Sequence, residues 1–387
     1  MSRAIILTAA AFSLLAAGAT EQDTARPRLR DLGVTVGIFQ PGANNAITDV
    51  AGVRVGHTTL VEGDSVRTGV TAVVPHGGNV FKEKVPAGVF PANAYGKAAG
   101  FLQVKELGNI ETPIILTNTL SVGTAVQAVV KWTLDQAGNE NVHSVNAVVG
   151  ETNDGYLNDI RRCTITNEHV FRAIDNARSG PVEEGNVGAG TGTFAFAWKG
   201  GIGTASRVLP TSLGGYTVGA LVQSNFGGIL MIDGMHVGEA LGQYYYREHV
   251  SPTRNPDEKG KAQEGGSCMI VLATDAPLSP RNLERMAKRA VLGLARTGSF
   301  MPNGSGDFVI AFSTRNKILD GRQGRTARVE QLRNESVSPV FLATVEAVEE
   351  AVINSILKAT TLTGYKGHTL EGFPVAKLRR MIDKRGK

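Results

Sequence analysis

The stretch Glu264-Gly265-Gly266-Ser267-Cys268-Met269-Ile270-Val271-Leu272-Ala273-Thr274-Asp275 limits what this chain can become more than any other part of it. An apolar run suited to a buried strand begins abruptly at a serine, directly behind two glycines. Upstream, residues 247–266 are polar, broken by Pro252 and Pro256, and have neither a helical nor a strand period. A tract of that kind is a surface loop. A buried strand that starts at its first residue, fed by such a loop, makes sense if the backbone is cut between Gly266 and Ser267. The other reading is a serine that opens an ordinary strand.

The chemistry of a cut is specific. A serine hydroxyl is a weak nucleophile until a base takes its proton. The α-amino group freed at Ser267 could be that base, because an unperturbed α-amine titrates at roughly 7.7–8.0, close to the pH at which it would work. Before the cut, Ser267 Oγ could attack the Gly266 carbonyl. Glycine accepts backbone angles that strain other residues, and strain at such a bond can be part of a mechanism.

A chain of 387 residues is long enough for two or three domains, or for one large α/β domain with a sizeable core. Its 47 glycines against 15 prolines fit many tight turns. The net charge of +5 is spread among mixed acids and bases, without a basic run or basic helix, so nucleic acid is not an expected partner. At the N-terminus, Arg3, an apolar stretch over 4–17 and the small residues Ala17-Gly18-Ala19 predict a secretory signal over residues 1–19. That stretch is too short for a comfortable membrane span, and no other segment approaches spanning length. An exported, periplasmic protein that does not enter a membrane is expected. Two cysteines, Cys163 and Cys268, are too few for a disulfide framework. Cys268 reads as a buried small hydrophobe, although export would permit a bridge between the two.

The periodicities alternate between strand and helix on both sides of the polar tract. Residues 20–40 read as a polar lead-in, and 45–59 as short strands and turns. Strands are predicted over 70–75, 113–116, 145–150, 193–198, 217–223, from 267 onward, and over 308–313. Residues 88–107 read as a loop running into a helix. Helices are predicted over 121–136, with Val122, Ala125, Val126, Val129 and Val130 on one face, over 170–177, over 280–298 and over 339–360. Residues 303–307 read as a turn. Neither side of the tract looks able to bury a sheet alone.

Several chemistries are poorly served. Gly188-Ala189-Gly190-Thr191-Gly192 lacks the GxGxxG spacing and no helix pattern follows it, which argues against a nucleotide site. The seven histidines are scattered and no cluster has metal-ligand spacing, so neither metal nor other cofactor is expected. There is no GxSxG elbow, although a Ser-His-Asp triad assembled in space stays open.

Beyond the Gly-Gly-Ser junction, six segments in chain order resemble the DmpA-type aminopeptidases, peptidase family S58, which includes the β-peptidyl aminopeptidases. They are Asp49-Val50-Ala51-Gly52-Val53-Arg54-Val55-Gly56-His57, Arg67-Thr68-Gly69-Val70-Thr71-Ala72-Val73, Thr112-Pro113-Ile114-Ile115-Leu116-Thr117-Asn118-Thr119, Gly185-Asn186-Val187-Gly188-Ala189-Gly190-Thr191-Gly192, Lys199-Gly200-Gly201-Ile202-Gly203-Thr204 and Val222-Gln223-Ser224-Asn225-Phe226-Gly227. The similarity runs over roughly 29–362. It implies an αββα sandwich resembling the Ntn hydrolases with different connectivity. It also implies a precursor that cuts itself at Gly266–Ser267 into an α chain of 20–266 and a β chain of 267–387, forming one catalytic domain and a tetramer of αβ pairs.

The resemblance further implies a role for each matched residue. Ser267 would be nucleophile and new N-terminus, and Asn225 the side-chain amide of the oxyanion hole. Ser305 and Asp307 would hydrogen-bond around the nucleophile and its amine, and Glu151 would bind the ammonium of a small peptide, amide or ester substrate. The family commonly has Glu where Asp307 stands and often an aromatic residue near Asn153, so this chain departs from it at both. N-terminal β-amino acids, or D- or L-Ala-type residues, would be released through an acyl-enzyme. Two rivals are an acyltransferase of the ornithine acetyltransferase type, which uses threonine where this chain has Ser267, and an uncut exported binding protein.

Overall fold

The computed structural model describes residues 26–250, 266–319 and 325–385. The expected signal over 1–19 and the stretch 251–265 of the polar tract lie outside the described residues. Thirteen strands carry the architecture: β1 (Arg54–Glu62), β2 (Val66–Val74), β3 (Glu83–Ala94), β4 (Asn109–Ile110), β5 (Ile114–Asn118), β6 (Val148–Thr152), β7 (Phe194–Ala195), β8 (Trp198–Lys199), β9 (Ile202–Val208), β10 (Thr217–Asn225), β11 (Gly266–Thr274), β12 (Ser305–Ser313) and β13 (Ile318–Leu319). One sheet has the order β1-β2-β5-β6; the other has the order β13-β3-β12-β11-β10-β9, with β4 beside β3.

The apolar run after Ser267 becomes the centre of the larger sheet because both of its faces are covered. Successive side chains of a strand point to opposite faces. Met269, Val271 and Ala273 therefore meet Ile114, Leu116 and Val148 of the smaller sheet. Ile270 and Leu272 pack instead against Met286 and Leu294 of helix Pro280–Arg296 and Val348 and Val352 of helix Ser338–Lys358. Burying such a side chain fully stabilises by roughly 1.5–3 kcal/mol, which is why the run tolerates no polar interruption. On the far side of the smaller sheet, Ala72, Ile115 and Val149 pack on Ala125 and Val129 of helix Val122–Leu134 and on Val170 and Ile174 of helix Asn167–Asp175. The layers are helix, sheet, sheet, helix, as the αββα reading expects.

The two sides of the polar tract interleave. β11 and β12 pair with each other in parallel and insert between β3, antiparallel to β12, and β10, antiparallel to β11. Strands from before the tract thus flank strands from after it in one sheet.

Several elements differ from the sequence reading. Of the range 88–107, read as a loop running into a helix, 88–94 belong to β3 and the helix starts only at Phe101; Pro86, Gly88 and Pro91 hide the strand's alternation. Residues 193–198 form not one strand but the two short antiparallel strands β7 and β8, turning at Phe196 and Ala197 with φ of 50° and 70°. The lead-in is no solvated segment from Leu29 onward. Leu29, Val34, Val36 and Phe39 join the core over helix Ser338–Lys358, and Leu29 N donates to Asn354 Oδ1 at 3.0 Å. Within the polar tract, Arg247–Val250 is a helical turn. β12 begins at Ser305 rather than Phe308, so Ser305 and Asp307 belong to a strand instead of a turn. Cys163 is exposed, Cys268 is buried, and both are free.

Candidate active site

Strand register brings the first site residues together. Ser267, second in β11, lies opposite Asn225, the last residue of β10, on one side and Gly306 of β12 on the other. Ser267 is buried, and its Oγ donates to the Gly266 carbonyl at 2.5 Å. Gly266 has φ 154°, and a Cβ there would lie 2.8 Å from Phe226 Cα, so only glycine fits before the serine. Gly306 is close for a different reason. A Cβ on it would lie 3.3 Å from Ser267 Oγ and 2.8 Å from the Tyr95 carbonyl, so its lack of a side chain leaves the space beside the hydroxyl open.

Asn225 is held from two directions. Its Oδ1 accepts from Phe194 N at 3.2 Å, and its Nδ2 donates to the Asn153 carbonyl at 3.1 Å. These bonds fix which end of the amide is the donor and leave one N–H of Nδ2 for another acceptor. Each anchor lies beside a buried ionisable group. Asp154, next to Asn153, accepts from Asn158 Nδ2 at 3.0 Å, and burial pushes its carboxyl up to about 7. Lys199, in the hairpin with Phe194, donates to the carbonyls of Gly190 at 2.9 Å and Gly200 at 2.7 Å. Burial pushes its ammonium down to about 7, with the Asp154 charge opposing the shift. That Asp154 and Lys199 are both buried depends on how the two loops pack, which no local pattern in the sequence records.

Glu151 lies in β6 opposite Thr117 and is almost fully buried. Its Oε1 accepts from Lys97 N at 2.9 Å and its Oε2 from Thr119 Oγ1. Each carboxylate oxygen keeps further acceptor capacity. Ser267, Gly266, Asn225 and Glu151 line one cavity of about 900 Å³. Part of its lining is aromatic. Tyr245 and Tyr246 pack with Phe300, and Tyr156 stacks on His368 at 4.5 Å between centroids. None of these aromatics carried a periodic signal, because they come from connecting segments; the run Tyr244-Tyr245-Tyr246 was the visible trace.

Ser305 and Asp307 do not line that cavity. Gly306 faces Ser267 Oγ, so its two neighbours point to the opposite face, where Asp307 sits in register with Cys268. Neither the Asp307 carboxylate oxygens nor Ser305 Oγ has a hydrogen-bond partner of good geometry among the described residues. Burial pushes the Asp307 carboxyl up to about 6, while the neighbouring Ser305 hydroxyl pulls it back. Burial, and then the charge of Asp307, raises the Cys268 thiol well above its ordinary value.

A small buried hydroxyl beside a free amide N–H, with a carboxylate farther along one wall, is an arrangement for acyl transfer from an amine-bearing substrate. The family model for peptidase family S58 matches residues 45–370. The chain belongs to peptidase family S58. It is a peptide hydrolase of the serine aminopeptidase type. The β-peptidyl aminopeptidase BapA of Sphingosinicella microcystinivorans is 44% identical over 382 residues, covering 96% of this chain and 95% of that protein. The PH0078 protein of Pyrococcus horikoshii superposes with a TM-score of 0.83 at 47% identity, over 93% of this chain and 100% of that one. The L-aminopeptidase D-Ala-esterase/amidase of Ochrobactrum anthropi, described as a prototype for the serine aminopeptidases and a variant of the Ntn hydrolase fold, gives 0.83 at 37% identity, over 93% and 99%. The αββα sandwich of the S58 chain is of that variant type.

Proposed function

We propose that this enzyme cuts itself between Gly266 and Ser267 and then releases single N-terminal residues from small peptides, amides or esters, with β-aminoacyl residues as its preferred class. The observation that carries this is the convergence of Ser267, Asn225 and Glu151 on one cavity. The β-peptidyl relative supports the substrate class. In the self-cleavage, Ser267 Oγ adds to the Gly266 carbonyl carbon, the peptide C–N bond breaks to give an ester and a free amine, and water hydrolyses the ester. In turnover the Ser267 amine takes the proton from Oγ, which attacks the substrate carbonyl. The remaining N–H of Asn225 stabilises the oxyanion. The nitrogen leaves with a proton from the Ser267 ammonium, and water releases the acid. Ser267 in place of threonine sets this chain apart from ornithine acetyltransferase-type enzymes. Export on the leader over 1–19, an α chain of 20–266 with a β chain of 267–387, and a tetramer of αβ pairs complete the proposal.

Glu151 makes the enzyme an aminopeptidase, because a buried carboxylate with spare acceptor capacity pairs with a substrate ammonium in a charge-assisted bond worth about 1.5–3 kcal/mol. Acetylating the substrate removes that charge and leaves Glu151 desolvated and unpaired. The kcat/KM of free-amine substrates should exceed that of their N-acetyl forms at least ~10²-fold, which needs about 2.7 kcal/mol. Glu151→Gln should narrow the ratio while leaving self-cleavage intact. Equal cutting of both forms by the wild type would overturn the exopeptidase reading. Undiminished discrimination by Glu151→Gln would place the ammonium elsewhere.

A further inference from the structure

One wall of the cavity carries a cation with no obvious task. Lys97 lines it together with Glu151, and the two are adjacent there, since the main-chain N–H of Lys97 donates to Glu151 Oε1 at 2.9 Å. The Lys97 side chain is exposed and forms no ion pair among the described residues. The cavity's other basic side chain, His368, is engaged: it stacks on Tyr156, and its Nδ1 meets the Tyr156 carbonyl at 2.9 Å. Beside Glu151, the wall side chains Thr119 and Asn153 are polar.

A plain β-aminoacyl residue does not match this wall well. Its ammonium on Glu151 would share this wall with the Lys97 ammonium, two cations to one carboxylate, and like charges within one cavity oppose binding. A substrate that carries a carboxylate on the same carbon as its amine restores the balance. Its ammonium meets Glu151 and its carboxylate meets Lys97. That head group belongs to an aspartyl residue joined through its side-chain carboxyl, in which the α-amine and α-carboxylate are both free. The amine is then β to the scissile carbonyl, as in any β-aminoacyl substrate. In an ordinary α-linked aspartyl residue the amine is on the carbon next to the scissile carbonyl and the carboxylate is on a different carbon.

Resting on the aminopeptidase reading above, we propose that Lys97 and Glu151 form a clamp for a zwitterionic head, and that the enzyme removes N-terminal β-aspartyl residues. The bond changes are those of the parent reaction. Ser267 Oγ adds to the side-chain carbonyl carbon, the C–N bond breaks, and the nitrogen leaves as an amine carrying the proton that the serine lost. Water then hydrolyses the ester, so amide plus water gives aspartate plus amine, with no change in oxidation state.

The test uses the processed wild-type enzyme and two p-nitroanilides that differ at one group, β-aspartyl and 3-aminobutyryl, the second with a methyl in place of the carboxylate. Wild type should turn over the β-aspartyl compound at least as efficiently as its methyl analogue. In Lys97→Met the ratio of the two kcat/KM values should fall about tenfold, and in Lys97→Glu further still, the scale of one charge-assisted contact. Because the readout is a ratio within one preparation, loss of folded enzyme cancels. A wild-type ratio below about one tenth of unity, or a ratio that neither substitution moves, overturns the proposal. If wild type cuts neither compound and no other free β-aminoacyl anilide, the parent reading has failed and the clamp with it. If it cuts the others and not β-aspartyl, the clamp alone has failed.

Discussion

At Ser267 the hydroxyl already touches the peptide group it would attack, with Oγ bonded to the Gly266 carbonyl oxygen. Asp307, one strand away, presents the contrasting case of a buried acid whose desolvation the neighbouring Ser305 hydroxyl offsets only in part. Burial raises its carboxyl from the ordinary 3.8 to about 6. A group whose folded pKa lies above its unfolded value contributes stability fully present below the unfolded value and lost as pH rises through the folded one. In a Ser267→Ala protein, which keeps the peptide bond intact, stability should therefore fall between about pH 4 and 6 partly because of Asp307, by up to ~3 kcal/mol for a shift of about two units. Adding Asp307→Asn should remove that portion. The check is chemical denaturation of the two proteins across this range, since Asp154 and Glu184, also raised by burial, titrate in both and cancel in the difference. Identical pH dependence would mean that Asp307 is solvated or paired in a way this geometry does not hold.

Among the elements, β10, β11 and β12 set the site by register, and the prediction at this scale concerns Asn225 at the end of β10. Losing one oxyanion donor costs roughly 10²–10³ in kcat elsewhere. Asn225→Ala should do the same in protein verified as processed, measured as kcat on a free-amine anilide; a loss under about threefold would reduce it to a support for Phe194 and Asn153. How far these elements were legible follows from the kind of signal each carries. β11 was plain, because a strand buried on both faces is a continuous apolar run. The helices Pro280–Arg296 and Ser338–Lys358 were plain from their 3.6-residue period. β3 was not, because proline and glycine interrupt it and its pairing with β12 is decided by residues more than two hundred positions away. Ser267, Asn225 and Glu151 could be named from motifs that resemble a family. Lys97, Phe194 and the buried pair of ionisable residues Asp154 and Lys199 could not, because only folding decides what each of them lies beside. Asp307 was read as a turn residue beside the nucleophile, and its strand alternation turns it to the other face.

The whole molecule is built so that cutting it would not take it apart. β11 and β12 lie between β3 and β10, and helix Ser338–Lys358 packs on the Leu29–Phe39 segment as well as on β9 and β10. Two pieces joined this way should co-elute on native size exclusion and separate only under denaturing conditions; a β chain that washes off natively would contradict the shared sheet. The most direct measurement of the central claim is intact-mass spectrometry of the purified protein under denaturing conditions, with N-terminal sequencing of the smaller piece, for wild type and Ser267→Ala. The wild type should give one piece ending at Gly266 and another beginning at Ser267, while Ser267→Ala stays a single inactive chain. A fully active wild-type protein with the Gly266–Ser267 bond intact would contradict the account.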